Sequence, residues 1–402
     1  MKKVELLAPA GNLEKAKIAL LYGADAVYVG GKEFSLRARA SNFTRDDLKE
    51  LSKFAHNLNK KMYVTCNIIP HNEDFEGLEN YLKFLSEIGV DAIITSSLGL
   101  IQKAKVIAPN VEIHISTQTS ITNSKAIKFW QTVGATRVVL AREVSIKEME
   151  KIKKNTNLEL EVFIHGGMCA SYSGRCTLSN YMTKRDANRG GCAHSCRWNY
   201  RLFDGKHRVE NKKYFFNMGS KDLMSIDQIE RLIKVGVTSL KIEGRMKSPY
   251  YIATVVRSYR MVIDEYYTIG FVKEETLELA KCEIQKAENR LTSCGFLEGM
   301  VTPNEQLYEI RNEEPTKEYV GYVLSYDEKN KTAVIEQRNY FKLGDTLEFF
   351  GPDLPNTLYI VDKMVDADTN EELDVARHPL QKFKMQLPFT VHPHDMVRLI
   401  KQ

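Results

Sequence analysis

The stretch Leu13-Glu-Lys-Ala-Lys-Ile-Ala-Leu-Leu21, Tyr22-Gly23-Ala24-Asp25 and Ala26-Val-Tyr-Val-Gly30 carries the pattern that decides the fold. A helical segment ends near a glycine, and a short apolar strand follows at once. Glycine adopts the left-handed conformation that commonly ends a helix. The pattern returns three more times, at Gly89-Val90-Asp91-Ala92, Gly134-Ala135-Thr136-Arg137 and Gly236-Val237-Thr238-Ser239. The chain therefore repeats a unit of helix, glycine and strand.

Eight strands are predicted in the first two thirds of the chain, with helical patterns such as Leu13–Leu21, Arg45–Leu58 and Phe75–Ile88 between them. The strands are Val4–Ala8, Ala26–Gly30, Met62–Asn67, Ala92–Thr95, Glu112–Ser116, Arg137–Ala141, Leu158–His165 and Ser239–Glu243, with Tyr214–Met218 as a further candidate. Strands that alternate with helices predict a parallel sheet, and about eight such units predict closure. We therefore predict an α/β fold of the TIM-like (β/α) barrel type.

The hydrophobic period changes to alternation from about Lys317 onward. The predicted strands there are Tyr319–Tyr326, Thr332–Gln337, Thr346–Phe350, Leu358–Val365 and Met396–Ile400. Short alternating strands separated by turns are typical of a compact β domain. We predict a barrel over residues 1–310, with a cysteine-rich insertion around 166–213 and closing helices, and a small all-β barrel over 311–402.

Composition places few limits on function. The 402 residues are 43% hydrophobic and 27% charged, as in ordinary globular proteins. No apolar run reaches the roughly 18 residues of a membrane helix, and the start does not resemble a signal peptide, so we expect a cytoplasmic protein without a membrane partner. The net charge of +5 is compatible with nucleic-acid binding.

Seven cysteines are present, and an odd number in a reducing compartment argues against a disulfide framework. Cys169, Cys176, Cys192 and Cys196 follow the spacing Cys-x6-Cys-x15-Cys-x3-Cys. Four thiolates so close in sequence are typical of zinc or an iron–sulfur cluster, and the spacing favours neither. Cys169 follows a predicted barrel strand, so it belongs at the carboxyl end of the strands, where catalytic groups of such barrels lie. That position favours a reactive cluster over a structural zinc ion.

Polar residues follow several predicted strands and would surround the same end of the barrel. They are Asn67, Ser116, Thr117, Gln118, Arg142, Glu143, His165, Asn217, Glu243 and Arg245. Arg142-Glu143 and Glu243-Gly244-Arg245 suit bidentate binding of an anionic small molecule, and a structural ion-pair network is the equal alternative. We predict that Arg142 and Arg245 contact a carboxylate and that His165 and Glu243 orient it or transfer a proton.

The segment from Lys184 to Lys213 contains nine basic residues and three acidic ones. It suits contact with RNA phosphates, for which Arg189, Arg197 and Arg201 are the candidates. Trp198, with Tyr172 and Tyr181, suits stacking on an unpaired base. The alternative is a solvated surface with aromatic rings packed around the cysteines.

The segment Glu161-Val-Phe-Ile-His165-Gly-Gly-Met-Cys169-Ala-Ser-Tyr-Ser-Gly-Arg175-Cys176-Thr-Leu-Ser179 closely resembles the signature of the collagenase-like peptidase family U-32. Similar matches to that family lie elsewhere along the chain, at Leu6-Leu7-Ala8-Pro9-Ala10-Gly11-Asn12, Lys241-Ile-Glu-Gly-Arg245 and Ile335-Glu336-Gln337-Arg338-Asn339. The resemblance therefore spans essentially the whole chain.

This resemblance implies a [4Fe–4S] cluster held by four cysteines, with Cys169, Cys176 and Cys192 at matching positions. Some relatives place the fourth ligand after an Asp-Leu pair, where this chain has Met224, so Cys196 is the expected fourth ligand. Branches of the family form 5-hydroxyuridine at the tRNA wobble position with prephenate, hydroxylate a ribosomal RNA cytidine, or act in ubiquinone synthesis as a pair of related chains. The length of this chain and its C-terminal module resemble those of the tRNA branch.

The expected function is therefore prephenate-dependent hydroxylation of tRNA wobble uridine, with tRNA and either a related chain or a second copy as partners. The alternatives are a collagenase-like peptidase, an enzyme that hydroxylates ribosomal RNA, and a zinc-stabilised RNA-binding scaffold. Motifs of known peptidase classes, such as His-Glu-x-x-His and Gly-x-Ser-x-Gly, do not occur in the sequence, which weakens the peptidase alternative.

Overall fold

The structure is a computed structural model that describes residues 3–36, 42–209, 216–287, 290–307 and 318–400. The predicted domain boundary at 310 lies outside the described residues. The candidate strand Tyr214–Met218 lies partly outside them, and within it Phe216 forms an isolated bridge with Tyr200.

Eight parallel strands form a closed barrel, as predicted. They are β1 (Glu5–Pro9), β2 (Ala26–Gly30), β3 (Lys61–Thr65), β4 (Ala92–Thr95), β5 (Glu112–Ile115), β6 (Arg137–Val139), β7 (Glu159–Gly166) and β11 (Ser239–Ile242). Strand β11 pairs with β1 on one side and with β7 on the other, which closes the ring. The carboxyl ends of all eight strands therefore meet at one end of the barrel, which we call the mouth.

Helices connect these strands and cover the outside of the barrel. They are α1 (Leu13–Leu21), α2 (Arg45–Asn57), α3 (Leu78–Glu87), α4 (Leu98–Ile107), α5 (Ser124–Thr132), α6 (Ile146–Lys153) and α8 (Ile229–Val235), followed by α9 (Pro249–Ile269) and α10 (Glu274–Ala287). The glycines that open the repeated pattern have φ of 111°, 75°, 94° and 88° at Gly23, Gly89, Gly134 and Gly236, the left-handed region in which glycine has no steric penalty. Helix α3 begins at Leu78 rather than at Phe75 because Gly77 adopts φ of 73°.

The lower half of the barrel interior is filled by ionic side chains. Arg137 donates to Glu5 (Nη1–Oε1 2.6 Å) and to Glu161 (3.2 Å), and Lys241 donates to Glu161 (Nζ–Oε1 2.6 Å). Tyr63 donates to the other oxygen of Glu5 (2.6 Å). Since Arg137, Glu161 and Lys241 are buried, each charge depends on its partners for the solvation that it has lost.

The predicted cysteine-rich insertion leaves the barrel after β7 and returns at β10 (Asp222–Met224), which pairs antiparallel with β7. It contains helix α7 (Leu178–Thr183), several 3-10 turns and the hairpin of β8 (Phe203–Asp204) with β9 (His207–Arg208). Strand β12 (Thr292–Ser293) pairs with β10. The insertion therefore starts and ends at the mouth.

A curled antiparallel sheet forms the C-terminal domain and confirms the predicted small β domain. Its strands are β13 (Tyr319–Asp327), β14 (Thr332–Gln337), β16 (Thr346–Phe350), β17 (Thr357–Ile360), β18 (Met364–Asp366), β19 (Glu372–Leu373), β21 (Lys382–Gln386) and β22 (Met396–Leu399), beside the pair β15 (Phe341–Lys342) and β20 (Val375–Ala376). The single strand predicted over Leu358–Val365 is divided into β17, which pairs with β16, and β18, which pairs with β19 and β21.

The two domains share a buried contact surface. Arg398 of β22 donates to Glu348 of β16 (Nε–Oε2 2.6 Å) and to Glu283 of α10 (Nη2–Oε2 2.8 Å). The Tyr250 ring of α9 stacks on Tyr319 of β13 at 5.0 Å between centroids. The β domain is thus joined to the helices that close the barrel.

The ionic interior yields a prediction for Glu161→Gln, which removes the carboxylate that Lys241 and Arg137 share. Leaving buried charges uncompensated should lower the free energy of unfolding by about 3–5 kcal/mol at neutral pH. Burial alone would raise the pKa of Glu161, but Lys241 and Arg137 outweigh it and bring the pKa from 4.5 to about 2. A lowered pKa stabilises the fold above the unfolded value, so the deficit of the variant should shrink as the pH falls from 4.5 toward 2.

Chemical denaturation at several pH values measures this effect, and Glu79→Gln is the matched control. Glu79 accepts from Lys103 at 2.5 Å on the surface, where both side chains are more than half exposed. Removal of that exposed pair should change stability little. Equal effects of the two substitutions would contradict the stabilising role assigned to the interior network.

Candidate thiol-rich site at the barrel mouth

The four clustered cysteines lie in the insertion at the mouth and are free thiols. Cys169 and Cys192 are exposed, and Cys176 and Cys196 are partly buried. Burial raises the pKa of Cys196, and the nearby Cys169 and Cys192 thiols raise it further. The thiols of Cys169, Cys192 and Cys196 are therefore electrostatic neighbours.

A first anchor holds the loop between Cys169 and Cys176. Glu143, which follows β6, accepts from the backbone N–H of Ser173 (2.7 Å) and from its hydroxyl (2.6 Å). Ser173 is buried with φ of 48°, a left-handed conformation that needs support from its surroundings in a residue other than glycine. Sequence reasoning had grouped Glu143 with Arg142 for ligand binding, whereas the structure gives it this anchoring role.

A second anchor ties Cys176 to the loop after β3. Asn188 accepts from the Cys176 N–H (3.3 Å) and donates to the Cys176 carbonyl (3.0 Å). The neighbouring Arg189 forms a bidentate ion pair with Asp74, and its Nη1 also donates to the carbonyl of Ile69 (3.0 Å). The segment around Cys176 is thus fixed to the barrel.

A third anchor joins the loops of the first and last cysteines. Arg197 donates from Nη2 to the carbonyl of Met168 (3.1 Å) and forms an ion pair with Asp222 (3.5 Å). The loop before Cys169 is held from the other side by Arg142, whose Nη1 donates to Gly167 (2.7 Å). Asp222 was not among the candidates from sequence, because its importance comes from a contact across the insertion.

The donor chemistry of this site fits a metal cofactor. Four free thiols, on an insertion that these anchors hold at one end of the barrel, are soft ligands of the kind that iron–sulfur clusters and zinc require. Within the part of the chain that the structure describes, no three His, Cys, Asp or Glu side chains are arranged to hold a single metal ion.

Arg245 occupies the mouth between the ends of β2 and β11. Its guanidinium donates to Ser35 (3.1 Å), to Thr65 (3.5 Å) and to Asn42 (2.9 Å), and all three partners are uncharged. A β-carbon on Gly30 would lie 2.1 Å from Nη2 of Arg245, so only glycine leaves space for the guanidinium there. The buried Arg245 is therefore held in one place at the barrel end.

Arg142 and Glu243 also lie at the mouth, near the third anchor. The Arg142 guanidinium lies 4.0 Å from the centroid of the Phe163 ring, a cation–π contact. Burial raises the pKa of Asp222. The positive charges of Arg197, Lys247 and Arg142 oppose that rise, and the charge of Glu243 adds to it. The structure thus brings Arg142 and Glu243 together with Asp222, while Arg245 stands on the β2 side.

His165 is buried at the end of β7 rather than open to the mouth. Its ring lies beside Tyr259 and Tyr251 of α9, with Nδ1 3.3 Å from the Tyr259 hydroxyl. Burial lowers the pKa of His165 to about 3, and the Lys247 charge contributes to the shift. The lowered pKa favours a neutral ring at neutral pH, and the role of His165 in orienting a ligand or transferring a proton stays a prediction.

The other polar residues predicted at the mouth have structural partners. Gln118 donates to the carbonyl of Asn67 (2.9 Å) and accepts from Ser116. Thr117 donates to Leu140 (3.2 Å), and Asn217 donates to Leu307 (2.6 Å). These residues connect neighbouring loops.

The residues predicted to contact RNA divide into two groups. Arg201 and Trp198 are exposed, as are Tyr172 and Tyr181, which is 85% exposed. The side chains of Arg189 and Arg197 are only 24% and 14% exposed and belong to the second and third anchors. Their guanidinium groups bind carboxylates and carbonyls within the protein, and their contact with RNA phosphates stays a prediction.

Fold and site together define a (β/α)-barrel protein with a thiol-rich mouth and a C-terminal β domain. The family model described as "Peptidase family U32" matches residues 11–307, and the model described as "Peptidase family U32 C-terminal domain" matches 315–398. The chain belongs to peptidase family U32. None of the helices among the described residues is both long and apolar enough to span a membrane.

Three curated relatives illustrate the range of the family. The chain is 48% identical to "tRNA hydroxylation protein P1" of Bacillus subtilis, over 99% of this chain and 95% of that protein. It is 36% identical to "tRNA hydroxylation protein P" of Escherichia coli, over 98% of this chain and 95% of that protein. It is 38% identical to "23S rRNA 5-hydroxycytidine C2501 synthase" of Escherichia coli, over 71% of this chain and 42% of that protein.

Proposed function

We propose that this protein hydroxylates RNA and that it converts wobble uridine in tRNA to 5-hydroxyuridine, with prephenate as co-substrate. The observation that carries the proposal is the 48% identity, over 99% of the chain, to a protein named for tRNA hydroxylation. The relative that is named for a hydroxycytidine in 23S rRNA supports RNA as the broader substrate class. The region that the family model matches, residues 11–307, includes the insertion and seven of the eight barrel strands.

We further propose that Cys169, Cys176, Cys192 and Cys196 hold a [4Fe–4S] cluster. Their free thiols are soft donors on one insertion, and three anchors hold the loops of Cys169, Cys176 and Cys196 to the barrel. When bound, such a cluster supplies one-electron transfer, and its potential depends on neighbouring charges and hydrogen bonds to sulfur. A zinc-stabilised scaffold is the alternative for the same donor set.

The anionic co-substrate is assigned to the cationic residues of the mouth, with Arg245 first. Its hydrogen bonds to Ser35, Thr65 and Asn42 fix the guanidinium at the mouth. A fixed guanidinium binds a carboxylate through two parallel hydrogen bonds. Arg142 is the second candidate, and Glu243, which like Arg142 acts on Asp222, is the candidate for orientation or proton transfer.

RNA contact is assigned to the exposed side of the insertion. Arg201 and Lys184 supply exposed positive charge, and Trp198, Tyr172 and Tyr181 supply exposed rings. Cations beside aromatic rings suit an RNA strand whose bases are unstacked, because phosphates bind the cations and bases stack on the rings. The wobble base is such an unpaired base, so a surface beside the thiols fits this substrate.

The first test concerns the cofactor. Anaerobically reconstituted protein should be brown, with broad visible absorption and about four irons per chain. Substitution by Ser of Cys169, Cys176, Cys192 or Cys196 should abolish the absorption because a hydroxyl replaces a thiolate ligand. Cys282→Ser is the matched control, since Cys282 is exposed on α10 outside the insertion. A colourless protein with one zinc ion would contradict the cluster.

The second test concerns the RNA surface. Lys184→Glu with Arg201→Glu should weaken tRNA binding and make the slope of log affinity against log salt shallower by roughly one per lost contact. Filter binding at several salt concentrations measures both quantities. The control is Lys151→Glu with Lys154→Glu, which changes the same charge at the far end of α6. Equal weakening by both pairs would show that net charge, rather than this surface, attracts tRNA.

The third test concerns the reaction in cells grown without oxygen, where no oxygen-dependent route runs in parallel. Deletion should remove 5-hydroxyuridine and its derivatives from tRNA, as measured by nucleoside mass spectrometry. Cys176→Ser and Arg245→Ala should fail to restore the modification, and Arg245→Ala should keep its cluster because its assigned ligand is a carboxylate.

Two other outcomes would redirect the proposal. Loss of a hydroxycytidine from ribosomal RNA with unchanged tRNA would keep RNA hydroxylation and replace the substrate. Unchanged RNA, together with cleavage of denatured collagen that a single substitution abolishes, would establish a peptidase instead.

A further inference from the structure

Arg197 contacts two other segments of the chain, and its place in the basic segment gives no sign of these contacts. It directly follows Cys196, and its guanidinium donates to the carbonyl of Met168, the residue before Cys169 (3.1 Å). The same Nη2 lies 3.5 Å from Oδ1 of Asp222. One side chain therefore connects the loop of the last clustered thiol, the loop of the first, and a carboxylate of the barrel wall.

Asp222, the carboxylate that Arg197 contacts, is held in place by a strand. It is the first residue of β10, which pairs with the end of β7 through Leu223 and Gly166. Arg290 also contacts its carboxylate (Nη1–Oδ1 3.3 Å). Since Asp222 is buried and held on a strand, the Arg197 guanidinium is located relative to the barrel rather than to a mobile loop.

Two glycines flank the Arg197 side chain. A β-carbon on Gly167 would lie 3.3 Å from Nη2 of Arg197 and 3.8 Å from Oδ1 of Asp222. A β-carbon on Gly219 would lie 3.4 Å from Cγ of Arg197. The arginine therefore passes between two backbone segments that carry no side chain, which limits the positions that its guanidinium can take.

We propose that Arg197 is a positioning residue that sets the separation of the Cys169 and Cys196 thiols. The inference rests on the proposed function only for the identity of the metal, because the thiol separation is a property of the metal-free chain. Both contacts are made by Nη2, which lies one bond further from the backbone than the ammonium of a lysine, so a lysine would place its charge short of the carbonyl and the carboxylate. Arg197→Lys, which keeps the positive charge, should therefore still lose the positioning of the two thiols.

The test on metal-free protein is cross-linking with dibromobimane, a reagent that joins two neighbouring thiols. Tryptic peptides and mass spectrometry identify which thiols are joined. The full-length wild type should yield a link between Cys169 and Cys196, and Arg197→Lys, Arg197→Gln and Asp222→Asn should each reduce it roughly tenfold, the factor expected for loss of a charge-assisted hydrogen bond.

Arg201→Gln is the matched control, because Arg201 is an exposed arginine of the same segment and should leave the link unchanged. Thermal melting separates a local effect from unfolding, and Arg197→Lys is the variant least expected to unfold the chain. An undiminished link in folded Arg197→Lys and Asp222→Asn would overturn the proposal.

Reconstitution with iron and sulfide gives a second, independent measurement. The wild type and Arg197→Lys should differ in the electron paramagnetic resonance spectrum and midpoint potential of the reduced cluster, since the potential responds to charge and hydrogen bonds near the sulfurs. Identical spectra and potentials at equal iron content would overturn the positioning role. If the wild type takes up no iron, the proposed cofactor fails, while the cross-linking result still decides the role of Arg197.

Discussion

The pairing of β11 with both β1 and β7 is the constraint on which the rest of this structure depends. Each parallel pair alone is an ordinary ladder, but the two pairings together close the ring and bring all eight carboxyl ends to one mouth. Closure also leaves no free edge in the barrel, which protects its backbone from pairing with other chains. Residues far apart in sequence, such as Arg142 and Glu243, become neighbours of one carboxylate only because the ring closes.

Closure also creates an interior, and this chain fills part of that interior with charge. Arg137, Glu5, Glu161 and Lys241 neutralise one another below the mouth, and each would be costly to bury alone. Their mutual contacts satisfy these charges within the barrel. At the mouth, Arg245 is held in place by hydrogen bonds to hydroxyl and amide groups, and a fixed guanidinium suits the binding of an anion.

The arginines of the cysteine-rich insertion fall into two groups, which cannot be told apart from the composition of the segment. Some of its arginines bind the insertion to the barrel: Arg189 pairs with Asp74 and Arg197 pairs with Asp222. Others, such as Arg201, remain exposed beside aromatic rings. Arg189 and Arg197 hold the loops that carry the thiols, and Arg201 belongs to the surface proposed to bind RNA. The proposed cofactor site and the proposed RNA surface therefore lie in one segment.

The sequence by itself determined the barrel, the β domain and the four-thiol segment, because these depend on local patterns. Hydrophobic period and the glycine after each helix mark β2 and α1 without knowledge of any distant contact. Cysteine spacing and the family motifs likewise lie on contiguous stretches of chain. The division of Leu358–Val365 into two strands escaped this reasoning, because its two halves pair with different strands that lie far away in sequence.

Only the tertiary structure decided which polar side chains are committed to partners inside the protein. His165, Arg189 and Arg197 look in sequence like accessible functional groups, and the fold buries the first against α9 and pairs the other two with carboxylates. Asp222 carried no signal of its own, yet it anchors the thiol loops. The physical reason is that burial and ion pairing are properties of the space around a residue, and that space is filled by segments tens of residues away.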